Sequence, residues 1–520
     1  MNVAIRGWEQ KDTRAAEENG DVRTLATGAG VNLGGQLVAR ALNMVSQVLM
    51  ARFLGAASFG LYAIGWTLVR VLGAVGTLGL EAGIIYFGAN YQADSRKFKG
   101  AVIQSLTIPC VSGALLAAAV WFMAPTLAER VFHKPNAVTV IRLFGLTLPF
   151  YTVCFVAGGI TKLSQRMQYF AYSGLAQAGS ALGLFCILFF FGWGLPGAIF
   201  ATLSGFAVGA LLSVYYVRRL FPVIGAKDIR PRWLGRELVT YSGSVMLAGI
   251  GYNGLMFVDR LFVGAFRSAA ETGIYQAASQ LAILFAILLG SFHGIFRPMV
   301  ADIYARGDRR RLTELYQMCT KWTLYACLPL FLLVVSVPVS LLEFLYGSSY
   351  TLAATPLIVL SVSQLVMVVT AGSHTMLIMT RRQRTFVVAA LSCLAADLLL
   401  SRTLVPEYGL NGAAVATAAS NVALNLISVV AVKKYLGVWP IDVRFVKGCI
   451  AAVVTFAALL VTKTFEIEIP ALNLFVIGCV SVVVFLGALI AIGLDTEDWQ
   501  LLRLVRCNSF VGRFWPVTAG

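Results

Sequence analysis

The sequence predicts an all-α integral membrane protein: fourteen transmembrane helices, in two six-helix bundles related as parallel repeats around a central cavity, plus two extra helices at the C-terminal end. Three observations carry that prediction. The 520-residue chain is 58% hydrophobic and only 12% charged, with a mean hydropathy of +0.80, a composition of membrane rather than soluble domains. Apolar stretches of about 20 residues, the length a helix needs to cross a bilayer, recur from end to end. The two halves also resemble one another at a nearly constant offset: GLPGAIFAT at 194–202 matches GLNGAAVAT at 409–417, GLY at 60–62 matches GIY at 273–275, and RMQYF at 166–170 matches RQRTF at 382–386. Such internal repeats are a common way of building polytopic membrane proteins.

Taken in order, the apolar windows place spans near 31–53, 61–87, 101–124, 138–161, 171–191, 195–217, 240–264, 275–296, 322–342, 352–379, 385–401, 409–432, 448–464 and 470–493. A polar tail (1–30) precedes them. The first bundle covers 31–217, a basic linker 218–239, the second bundle 240–432, the two additional helices 433–495, and a closing tail 496–520. That tail has the pattern of an amphipathic helix lying on a membrane surface, with a frayed end as the alternative. Six spans per repeat is an even number, so the two bundles keep the same orientation and are related by an axis along the membrane normal. The loops leave no room for a folded domain outside the bilayer.

The net charge of +17 invites a nucleic-acid reading, which its distribution excludes. Most of the 41 Lys and Arg fall in the N-terminal tail and in every second loop, whereas the opposite loops hold only Arg52, Arg130, Lys134, Arg267, Arg402 and Lys463. By the positive-inside rule both termini are cytoplasmic, and the charge faces anionic lipid. None of the nine cysteines pairs with another in an outward loop, and no CxxC spacing occurs, so neither a disulfide framework nor a metal site is expected. His133, His293 and His374 match no metal-ligand spacing, and nucleotide-binding and hydrolase motifs are absent. The first 30 residues lack the apolar core of a cleaved signal, and the first hydrophobic segment is expected to remain as an anchor.

A charge at mid-bilayer costs about 2.5–3.5 kcal/mol and therefore usually faces a cavity or a partner. In the first span Asn32, Gln36, Arg40, Asn43 and Gln47 recur every three to four residues along one helix face. Arg40, ten residues in, lies about 15 Å deep at 1.5 Å per residue. The second span sets Arg70, Thr77 and Glu81 on one side. Glu81 is open to two readings, a structural partner for a basic residue or a protonatable coupling residue. The seventh span carries Asp259 and Arg260, the eighth ends at Arg297, and Asp397 lies deep in the eleventh. Thr417, Asn421, Asn425 and Ser428 form an uncharged stripe on the twelfth, a pattern typical of helix packing. The candidate cavity set is therefore Gln36, Arg40, Asn43, Gln47, Arg70, Arg260 and Arg297, with Glu81, Asp259 and Asp397 as coupling or gating candidates. Arginine suits phosphate, so a phosphate-bearing anion is the expected substrate class.

The stretch MARFLGAASFGLYAIGWTLV, its half-repeat VDRLFVGAFRSAAETGIYQAASQL and the two GLxGAxxAT segments resemble the polysaccharide-transporter branch of the multidrug/oligosaccharidyl-lipid/polysaccharide exporter superfamily, over roughly residues 28–495. The resemblance implies a flippase that is not an enzyme. It would carry polyprenyl-pyrophosphate-linked oligosaccharide across a bacterial inner membrane by alternating access, for surface or exopolysaccharide synthesis. It also implies a cationic cavity, for which Arg40 and Arg70 are the best-fitting positions. Other polysaccharide-assembly proteins are expected partners, no cofactor is expected, and proton or sodium coupling stays open. Three alternatives are a lipid II flippase, a cation-coupled multidrug exporter of the same superfamily, and a membrane glycosyltransferase or polymerase. The short loops disfavour the last, since a catalytic site needs acids held at the membrane surface.

Overall fold

The computed structural model describes residues 2–498 apart from 92–93, 165, 167, 371, 381, 465–468, 494 and 496–497; the side chains of 2–33, 89–90, 236, 239, 244, 287, 291–295 and 298 fall outside the description. Asn32, His293 and, except for Asp498, the expected amphipathic tail at 496–520 thus lie outside it.

Hydropathy dictates helix almost everywhere, because backbone polar groups in a bilayer find partners only within their own segment. The α-helices are α1 (Asn2–Gly76), α2 (Leu80–Asn90), α3 (Ser95–Thr126), α4 (Ala137–Gly145), α5 (Leu148–Lys162), α6 (Gln168–Phe190), α7 (Gly194–Leu220), α8 (Gly235–Phe266), α9 (Ala269–Ala305), α10 (Arg309–Ser336), α11 (Pro338–Tyr346), α12 (Ala354–Val369), α13 (Ser373–Met379), α14 (Gln383–Leu436), α15 (Val443–Thr462) and α16 (Pro470–Ile492). Among the described residues, eleven helical stretches are long and apolar enough to cross a membrane. Two of them, Gly34–Gly88 and Gln383–Leu436, each hold two expected spans, and the seventh expected span lies on α8, outside that set. All the expected apolar segments therefore fall on helix, and the protein is a multi-pass, all-α membrane protein.

Where one helix holds two spans, a glycine turns the chain: Gly55 (φ 75°) in α1 and Gly409 (φ 59°) in α14. Such angles are open to Gly at little steric cost. Elsewhere the structure corrects an expected continuous span by breaking it. The second breaks at Thr77–Gly79, the fourth between α4 and α5, the ninth at Val337 and the tenth between α12 and α13. Proline explains two of these breaks. Pro149 and Pro338 stand in the first turn of α5 and α11, where the missing N–H costs nothing, and before Pro338 the chain leaves helix at Val337 (φ −132°).

The first part of α1 packs on α6, its second part meets α8 and α9, α8 packs on α14, and α15 and α16 pack together against α10. Phe122 and Phe190 are 80% and 87% exposed, which is tolerable only where the surrounding solvent is lipid. The contact between the halves falls on repeat-equivalent residues. A Cβ on Gly60 would lie 1.7 Å from the Ala269 carbonyl oxygen, and one on Gly273 would lie 2.1 Å from that of Ala56. Ala56 and Ala269, like Gly60 and Gly273, are 213 positions apart, so the crossing is reciprocal, as two parallel repeats about one axis require.

Candidate functional site

The halves touch at two levels along the second span. Near the face with few basic residues, Gly60 meets α9. At the basic face Gly79 meets α8, where an added Cβ would lie 2.2 Å from the Ser242 carbonyl oxygen. Arg70 lies between these contacts, ten residues from one and nine from the other. Its guanidinium carbon stands 4.4 Å from the Phe257 ring centroid on α8 and 5.7 Å from Trp66, a cation–π setting. No carboxylate pairs with it among the described residues, and its Nε finds no hydrogen-bond partner. Arg40 reaches toward the other half: its Nη1 is 3.5 Å from where a Cβ on Gly290 of α9 would stand. Arg40 and Arg297 are both exposed and Gln36 is half-buried. Arg297 lies within electrostatic reach of Tyr252 on α8.

Two expected cavity residues go elsewhere. Gln47 turns into the N-terminal half, donating to the Tyr62 hydroxyl at 3.4 Å, which in turn lies 2.9 Å from Thr202 Oγ1. Arg260 is a correction to its cavity assignment: only 2% exposed, it is held inside the C-terminal half. It donates to Gln276 Oε1 at 2.8 Å, to the Met256 carbonyl, and to Asp259 Oδ1 at 3.1 Å. The neighbouring acid, a glutamine from α9 and a backbone carbonyl serve its Nε and Nη1 and hold the guanidinium inside that half. Asn43 spends its amide on the Ala39 carbonyl one turn back, at 3.0 Å.

The coupling candidates separate into two environments. Glu81 accepts from Lys162 Nζ at 2.7 Å in a half-buried ion pair at the basic face. Asp259 and Asp397 are buried and lie close enough to feel one another's charge. Asp259 is matched by Arg260 and accepts from the Tyr275 hydroxyl at 2.7 Å. Thr417 and Ser420 are the hydroxyl neighbours of the Asp397 carboxylate, but none of the three closes a hydrogen bond of full geometry among the described residues. Asp397 comes from one side of the Gly409 turn and Thr417 and Ser420 from the other. The turn thus sets a carboxylate against two hydroxyls, an oxygen-rich donor set that suits a proton or a hard cation.

Lys134 was not singled out by the sequence, yet it bridges the halves. From the loop before α4, its ammonium donates to the Gly264 and Arg267 carbonyls at the C-terminal end of α8 and to Phe132, the last two at 2.8 and 3.0 Å. Unpaired carbonyls and the helix dipole make that end a natural seat for a cation. Two further bonds close the same face: Arg52 to the Phe344 carbonyl at 3.2 Å, and the Tyr350 hydroxyl to the Ala51 carbonyl at 2.8 Å. Pairs more than a hundred residues apart leave no periodic mark in a sequence.

Comparison with known proteins fits this architecture. The structure is similar to that of the lipid II flippase MurJ in an inward closed conformation, with 16% identity and a TM-score of 0.68 over 87% of this chain and 96% of that one. It is also similar to an inward-facing multidrug resistance MATE transporter of the MOP superfamily, with 15% identity and a TM-score of 0.66 over 79% and 98%. At such identities the likeness is one of fold. Among curated proteins of Bacillus subtilis, the stage V sporulation protein B is 24% identical over 238 residues, 44% of this chain and 46% of that protein. The uncharacterized membrane protein EpsK is 23% identical over 296 residues, 54% and 58%. The chain thus spans about half the length of these relatives. Residues 25–303, more than half of the sequence, match the family described as polysaccharide biosynthesis protein, and the chain belongs to that family.

Proposed function

We propose that the protein is a flippase that moves a polyprenyl-pyrophosphate-linked oligosaccharide across a bacterial inner membrane, with both termini cytoplasmic, and delivers it to other polysaccharide-assembly proteins. The observation that carries this reading is the position of Arg70 and Arg40: two guanidinium groups deep in the first two spans, directed at the partner half, in a family of polysaccharide biosynthesis. Guanidinium forks suit pyrophosphate. An inside-negative potential favours outward movement of the anion by about 2.3 kcal/mol per charge per 100 mV. A lipid II flippase is the second reading, favoured by the fold likeness to MurJ. A MATE-like drug exporter is disfavoured, because an extruder of cations gains nothing from arginines directed between its halves.

Coupling belongs to Asp397 with Thr417 and Ser420, where a proton or sodium ion would neutralise a buried carboxylate. The test of the main reading is substitution of Arg70 and Arg40 by Ala, with lipid-linked oligosaccharide measured on each leaflet. Build-up on the inner leaflet, with surface polymer reduced at least tenfold at unchanged protein level, is expected. Normal polymer in both variants overturns the site assignment, and build-up of lipid II instead selects the second reading.

A further inference from the structure

The basic face of the N-terminal half contains a cavity of about 700 Å³ that is separate from the contacts between the halves. It opens between the start of α3, the α5–α6 connection and the end of α7. Its volume lies in the range of small-molecule sites, about 300–1,000 Å³. Arg166 faces it from the α5–α6 connection and Arg219 from the last turn of α7, and Ser95 and Ser164 line it as well. Neither arginine has a carboxylate within ion-pair distance among the described residues. Asp94, next to Ser95 in the chain, is engaged: it caps α3 by accepting from the Arg96 and Lys97 amides and lies 3.8 Å from Lys97 Nζ. The floor is fixed by packing, with the Phe98 and Phe221 rings 5.1 Å apart.

We propose that this cavity binds the phosphodiester headgroup of an anionic phospholipid from the leaflet that meets the basic loops. Two guanidinium groups and the Ser95 hydroxyl supply donors for a phosphate, the Ser164 hydroxyl being already committed to the Thr161 carbonyl. Leu163, Leu220 and Val223 give the same cavity apolar walls, which a glycerol backbone and the first acyl carbons need and a free phosphate does not. Next to it, Tyr172 and Tyr215 are 43% and 55% exposed on spans that face lipid. Tyrosines in that position mark the headgroup level of a membrane, and basic pockets between spans at that level suit anionic headgroups. The site does not depend on the transport reading, since both of its arginines stand on elements of the N-terminal half.

The test uses the full chain purified in neutral detergent, with retention of short-chain phosphatidylglycerol or phosphatidylcholine counted by native mass spectrometry. The wild type is expected to hold phosphatidylglycerol at least tenfold more tightly than phosphatidylcholine. The double variant R166Q/R219Q is expected to lose that preference, and R309Q/R310Q, altered at the exposed start of α10, to keep it. The single variants R166Q and R219Q, each expected to lose part of the affinity, keep the test open should the double variant fail to fold. Equal preference in wild type and all pocket variants overturns the site. Displacement of the lipid by an equal concentration of glycerol 3-phosphate overturns the lipid as its occupant in favour of a soluble phosphate.

Discussion

At the scale of single residues, the strongest constraint is steric. Gly60 and Gly273 let two helices touch backbone to backbone, and the carbonyl oxygens of Ala269 and Ala56 occupy the space where a side chain would begin. Gly60→Val therefore has to spread α1 from α9, and overpacking of this kind costs about 1–3 kcal/mol. A fall in melting temperature of the purified protein is expected; the same change at Gly183, where nothing lies within 4 Å of an added Cβ, should leave it nearly unaltered. The buried acids behave differently from one another. Asp259→Asn strands the buried Arg260 charge, and breaking such a pair costs about 3–5 kcal/mol. Asp397 has no counter-charge to strand, so Asp397→Asn should fold normally and lose the response of transport to imposed sodium or pH gradients. A gradient response equal to wild type removes Asp397 from coupling. The sequence marked Asp397 as a deep charge and set Asp259 beside Arg260, but it could not show that Tyr275 and Gln276 on the next helix enclose that pair. That is why Arg260 reads as a cavity residue until its partners are seen.

Among elements, the spans were legible because hydropathy and the bilayer impose helix together. The interruptions were less so: hydropathy is blind to the left-handed backbone at Leu78 and Gly79, although Pro149 and Pro338 did mark two breaks. The anchoring of the last two helices was not legible at all. Lys321 on α10, 2% exposed, meets Asp495 at 3.3 Å and Asp498 at 2.8 Å, and Lys447 on α15 holds Asp495 at 2.7 Å. Trp322 Nε1 donates to Asp498 at 2.9 Å. This clasp ties the segment after α16 to the body of the C-terminal half. Burial alone would push the Asp495 carboxyl up, but hydrogen bonds and charge from Lys447 and Lys321 more than reverse it, leaving it below the ordinary carboxylate range. The same balance of burial against Lys321 and Trp322 lowers Asp498. Carboxyls lowered in the folded state contribute stability that is complete above their unfolded values, near pH 4, and is lost as pH falls through the folded ones. Melting temperature should thus drop steeply below about pH 4 in the wild type. In D495N/D498N the protein should already be less stable at pH 7 by about 3–5 kcal/mol, because the buried Lys321 charge loses both of its carboxylates, and the acid dependence should flatten. An unchanged acid profile in that variant rules the clasp out as its cause.

For the whole molecule, the repeat was legible in three short matches, and its consequence is geometric. Two halves crossing reciprocally at Gly60 and Gly273 can rock about that crossing, which is the motion alternating access needs. The bonds from Lys134, Arg52 and Tyr350 hold one face shut, so the opposite, basic face has to part if substrate enters there. Its contact is the one between α2 and α8, where a Cβ on Gly83 would lie 3.4 Å from that of Ser242. This spacing is near the roughly 3.5–4.5 Å of disulfide-linked Cβ pairs, so G83C/S242C should crosslink readily under oxidation. With the crosslink formed, transport should stop, because the halves can no longer separate on that side. Reduction should restore it, which separates locking from misfolding. Continued transport by quantitatively crosslinked protein is incompatible with rocking of the halves and would place the substrate path along the outside of one half.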